Sequence, residues 1–197
     1  MDHYKKNLKL LTQNHVYSKE MEHDACGVGL IASTEGKKTR AVVDYGIEAL
    51  KAVWHRGAVD ADGKTGDGAG IHLEIPKDFF IEKIEVTGHD YDNAEICVGM
   101  IFLPKNDYSS QESCKTIVES ELTKNDFSIY GWRQVPVNPK VLGEKALQTM
   151  PEIIQVLFKS NDINLLDKEL ERKIYETRKK IENKAFDLSL NNFYICS

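Results

Sequence analysis

Asp24-Ala25-Cys26-Gly27-Val28-Gly29-Leu30-Ile31 marks the point where a polar leader gives way to a run that reads as a buried strand, residues 26–33. A cysteine at the mouth of a strand has a plain structural reading, a small buried hydrophobe. The two glycines that follow weaken it, because without side chains they let another backbone or a ligand approach closely. Cutting the chain between Ala25 and Cys26 would put a thiol and a free α-amine on one residue. Such an amine has a pKa of roughly 7.7–8.0, so it can take the thiol's proton near neutral pH. One residue would then hold both halves of a nucleophile–base pair.

Working outward, residues 1–25 carry little periodicity beyond Leu8-Lys9-Leu10-Leu11 and are expected to form a leader or propeptide without a core of its own. Val43, Ile47, Leu50 and Trp54 fall on a helical stripe, which predicts a helix over 40–54. Gly57 closes that helix or the turn after it, and residues 57–70 form a glycine-rich loop. Alternation of Ile71, Leu73 and Ile75 predicts a strand ended by Pro76. Further strands are expected at 94–103, 127–135, 152–158 and 193–197, and helices at 109–123 and 162–184, the second with a heavily charged solvated face. Helices and strands arrive in clusters without strict βαβ alternation, which fits an α+β fold with antiparallel sheets.

The 197 residues suffice for one good-sized domain or most of one. With 41% hydrophobic and 29% charged residues the composition is that of a soluble globular protein. A net charge of −5 and the lack of a basic, aromatic-laced segment argue against nucleic acid. No apolar run approaches the roughly 20 residues that span a bilayer, and the start has no secretory core, so a cytoplasmic location is expected. Cys26, Cys97, Cys114 and Cys196 form no Cys-x-x-Cys pair, so no metal site is expected; the last three read as reduced core or half-buried thiols.

Two rival readings of the 57–70 loop fail on chemistry. Gly63-Lys64-Thr65 follows Ala58 at phosphate-loop spacing, but the loop runs from a helix to a strand, and Asp60, Asp62 and Asp67 would repel a polyphosphate. As a calcium loop it lacks the fifth-position donor and the twelfth-position glutamate, where Ile71 stands. Arg56 admits two roles: a cation at a helix C-terminus, or a guanidinium that lowers the pKa of a neighbouring thiol. His55 reads as a packed or hydrogen-bonding spacer.

Glu22 to Gly29, His55-Arg56-Gly57-Ala58, Ala61 to Gly70, Gly131 to Pro139 and Phe193-Tyr194-Ile195-Cys196 together carry a resemblance. Over nearly all of the chain after Cys26 it resembles the amino-terminal glutaminase domain of glutamate synthase large subunits, which are class II glutamine amidotransferases of the N-terminal-nucleophile hydrolase type. The resemblance implies a four-layer αββα sandwich, incomplete at its C-terminal end, over residues 26–197. It implies that Cys26 is the catalytic nucleophile toward L-glutamine, with Arg56 and Gly57 lining its surroundings. It also implies that an Asn-Gly oxyanion pair and the groups that clamp the substrate lie downstream of the Phe-Tyr-Ile segment; no Asn-Gly pair occurs in these 197 residues. The isolated chain is therefore expected to be inactive. FMN and an iron–sulfur cluster belong to the missing synthase part, so no cofactor is expected here. The expected partners are the remainder of the large subunit and a reductase subunit or ferredoxin. The alternative is a non-catalytic truncated or split chain, an interaction module that needs a partner chain to complete its sheet.

Overall fold

The computed structural model describes residues 2–13, 27–54, 57–165 and 167–196. They divide into two units. The first comprises the chain up to Ala58 together with Gly66–Ile71; the second comprises Val59–Thr65 and the chain from His72 onward.

In the first unit, α1 spans Asp2–Gln13 and α2 spans Arg40–Ala52. Helix α1 lies within the stretch expected to be a leader. Helix α2 follows its apolar stripe and gains an i,i+4 ion pair, Arg40 Nε to Asp44 Oδ1 at 2.9 Å. The returning segment lies against it: a Cβ at Gly46 would sit 3.0 Å from Ile71 Cδ1. The strand expected at 26–33 is not formed over its described residues, 27–33, where Val28 and Leu30 are 94% and 89% exposed. The strand expected at Ile71–Ile75 is likewise absent. Its alternation defines a face, but a strand also needs a neighbour to take its backbone groups, and no described segment pairs with it.

The second unit is built on one four-stranded antiparallel sheet: β1 (Cys97–Leu103), β2 (Phe127–Gln134), β3 (Glu152–Ser160) and β4 (Tyr194–Cys196), in the order β2-β3-β1-β4. Strand β1 pairs with β3 along its whole length, from Cys97 opposite Phe158 to Leu103 opposite Glu152. Strand β4 holds the edge, pairing only at Met100 to Phe102. Side chains of β1 alternate between the sheet's two faces. On one face Cys97, Ile101 and Leu103 join Val156 and Phe158 under α4 (Tyr108–Lys124) and α6 (Asp167–Asp187), with Val118, Leu122 and Ile181 buried among them. On the other, Val98 and Leu157 meet Phe80 and Ile84 of α3 (Lys77–Val86). A short α5 (Glu144–Thr149) precedes β3.

Neither α3 nor α5 is announced by the periodicity above. The start of α6 also falls later than its pattern suggests, because Asp162 accepts from Asn164 N at 3.0 Å and the chain turns there instead. Most charged side chains of α6 are exposed, as expected of a solvated face, and two of its lysines reach the end of α4. Lys184 pairs with buried Glu121 of α4, and Lys180 Nζ reaches Asn125 Oδ1 at 2.6 Å. That pairing, with Lys184 as the chief cause, holds the Glu121 carboxyl below its ordinary pKa.

Candidate active site

Cys26, His55 and Arg56 lie outside the described residues, so the candidate site is built from what flanks them. Gly27 and Gly29 stand beside open space, with no atom within 4 Å of a Cβ added at either. Within the described residues nothing demands glycine there.

Gly57 turns the chain out of the helix, its N–H donating to Trp54 O at 3.0 Å. A Cβ on it would lie 3.3 Å from that carbonyl oxygen and 4.0 Å from Asp67 Oδ2. Ala58 N donates to Asp67 Oδ2 at 2.8 Å, while Asp67 N donates to Ala58 O at 3.2 Å. Both backbone groups of Ala58 are thus satisfied by one residue. Gly66 is constrained as well, since a Cβ there would stand 3.0 Å from Ala58 O.

At the tip of the loop, Asp62 Oδ1 accepts from Lys64 N at 2.9 Å and Thr65 N at 2.7 Å, and its Oδ2 accepts from Thr65 Oγ1 at 2.6 Å. These bonds, the Thr65 hydroxyl first, bring its pKa down to about 2. Gly63, at φ +67°, makes the turn in the left-handed region that glycine tolerates best. A Cβ at Gly143 would overlap Thr65 Oγ1 and Asp62 Oδ2, so the approach to α5 is packed onto the loop tip. Asp60 Oδ1 accepts from Ala61 N at 2.6 Å, and its Oδ2 pairs with Lys145 Nζ at 2.5 Å.

These contacts give the loop's aspartates and amides internal partners, which the sequence reading did not foresee. The amides of Lys64 and Thr65, the donors a phosphate would use, are taken by the Asp62 carboxylate. Each of the three aspartates already serves internal donors. The signal was present in the sequence: Asp62-Gly63-Lys64-Thr65 has the composition of a turn whose aspartate bonds its own backbone.

The described thiols lack the character of a nucleophile. Burial pushes Cys97 up to about 12 and Cys114 to about 11, and it also raises Cys196. Each sits in or against the sheet core, as expected of a packing cysteine.

The chain belongs to the class-II glutamine amidotransferases: the sequence profile of that family matches residues 26–197. Among individual proteins it is similar to the glutamate synthase [NADPH] large chain of Azospirillum brasilense. The two are 50% identical over 194 residues, an alignment that covers 98% of this chain and 13% of that protein. It is also similar to the ferredoxin-dependent glutamate synthase of Pyropia yezoensis, 38% identical over 194 residues, covering 96% of this chain and 12% of that protein. A chloroplastic/mitochondrial ferredoxin-dependent glutamate synthase of Arabidopsis thaliana is 39% identical over 178 residues, covering 89% and 11%. The chain thus spans only about an eighth of the length of these relatives.

Proposed function

We propose that the chain is the glutamine-hydrolysing part of a glutamate synthase, with Cys26 as nucleophile and residues 1–25 as a leader removed to free it. The observation that carries this reading is where the family match begins: at Cys26 itself. Once freed, the α-amine takes the thiol proton, and the thiolate attacks the side-chain amide carbon of glutamine. The C–N bond breaks, the nitrogen leaves as ammonia with that proton, and a glutamyl thioester forms. Water then attacks the thioester carbon, releasing glutamate and restoring the thiol. Arg56 and Gly57 support the thiolate from the segment that Ala58 anchors. Residues 26–197 form the amino-terminal part of a four-layer αββα sandwich, to which the sheet of the second unit contributes one layer. Glutamine is the substrate, and the ammonia is consumed in 2-oxoglutarate amination elsewhere in the full-length protein, where FMN and an iron–sulfur cluster belong. An electron-donating partner, a reductase subunit or ferredoxin, acts there too.

The test is made in the full-length protein. Cys26→Ser is expected to abolish glutamine-dependent glutamate formation and to leave ammonia-dependent synthesis intact, because a hydroxyl is far less readily ionised than a thiol. Glutaminase activity surviving in the serine variant refutes the assignment.

A further inference from the structure

We infer that Asp67 is a positioning residue for the glutaminase reaction, its carboxylate fixing the backbone of Gly57 and Ala58, which follow Arg56 in the sequence. The inference rests on the proposed role of Cys26 and its neighbours. Its basis is the double engagement of Ala58, whose N–H meets Asp67 Oδ2 at 2.8 Å and whose carbonyl accepts from Asp67 N at 3.2 Å. The two glycines around this contact leave the backbone little room: Gly57 lies against Trp54 O and the Asp67 carboxylate, and Gly66 against Ala58 O. A segment that is closely approached from several sides and tied by a single side chain moves when that side chain is removed. An amide oxygen in the same place keeps the acceptor, so the geometry depends on the hydrogen bond rather than on the charge. Misplacing a group by about 1 Å at a reacting centre can cost on the order of 100-fold in rate.

The experiment compares Asp67→Ala, Asp67→Asn and Cys26→Ser in the full-length protein. Its readouts are glutamine-dependent and ammonia-dependent glutamate formation and the pH dependence of Cys26 alkylation by iodoacetamide. For Asp67→Ala the expected result is a glutamine-dependent kcat lowered by about 10- to 100-fold with KM within about 3-fold. Its alkylation profile is expected to move to higher pH, and its ammonia-dependent rate to stay level. Asp67→Asn is expected to recover most of the lost kcat and the original alkylation profile. A wild-type kcat in Asp67→Ala overturns the inference, and so does equal impairment of the alanine and asparagine variants. Should Asp67→Ala not accumulate as folded protein, Asp67→Glu serves instead, since it keeps the charge and displaces the acceptor. Lost kcat there supports the inference, and unchanged kcat overturns it. If Cys26→Ser keeps its glutaminase activity, the underlying reading fails; if Cys26 is required and the Asp67 variants are normal, only the positioning role fails.

Discussion

Asp92 draws three segments of the second unit together. Its Oδ1 accepts from the buried Tyr130 hydroxyl of β2 at 2.5 Å, its Oδ2 pairs with Lys159 of β3, and Lys159 also sits 5.5 Å from the Tyr130 ring centre. The Lys159 bond first, and the tyrosine second, bring the Asp92 carboxyl down to about 2. A carboxyl depressed on folding adds stability at pH values above its unfolded pKa, roughly 3.9, and that stability is lost as pH falls through the folded value. Wild-type protein is therefore expected to lose urea resistance between about pH 4 and pH 2 more steeply than Asp92→Asn, measured as the unfolding midpoint against pH. Equal acid limbs would show that Asp92 is no better paired in the folded chain than in the unfolded one. At this scale the sequence was informative wherever chemistry leaves a mark on its neighbours. The apolar runs around Cys97 and Cys196 announced packing roles, and those thiols are buried and half-buried. The partners of Asp62, Asp67 and Asp92 were less legible, because a carboxylate's hydrogen bonds depend on where the chain folds back.

Among the elements, β2 carries the clearest constraint on a single position. Its register with β3 shifts between Ile129 and Gly131, and Gly131 adopts φ +155°. A Cβ there would meet Thr87 Cγ2 at 2.7 Å and Thr87 Cβ at 2.8 Å. Thr87 ends α3, and its Oγ1 lies 2.8 Å from the Tyr130 carbonyl oxygen, so it cannot withdraw without giving up that contact. Gly131→Ala is accordingly expected to cost about 1–3 kcal/mol of folding stability, read from denaturant midpoints at unchanged slope. Gly131→Ala combined with Thr87→Ser, which removes Cγ2, is expected to recover part of the loss. The long periodic elements were the legible ones: α2, α4, β1 and β3 fall within a few residues of their sequence patterns. Helix α3 escaped notice because only Phe80 and Ile84 of its ten residues are buried, too few to set a period. The segments 27–33 and 71–75 misled for the opposite reason. Their hydrophobic pattern is that of a strand, but pairing is a property of two segments and is not written in either one.

At the scale of the whole molecule, α+β layering with an antiparallel sheet was readable from the clustering of elements, whereas the strand order was not. Periodicity holds no information on which strand lies beside which, and the order β2-β3-β1-β4 places the first-made strand in the interior of the sheet. That placement matters during synthesis. Cys97-Val98-Gly99-Met100-Ile101-Phe102-Leu103 leaves the ribosome long before either neighbour exists: β3 is not complete until Ser160, and β4 not until Cys196. At roughly 5–20 residues per second, this apolar strand waits a few seconds or more with both edges open. Such a window favours capture by chaperones or by other nascent chains. Nascent chains stalled after α4 are therefore expected to be cut readily by protease within β1, and chains long enough to expose β3 are expected to resist.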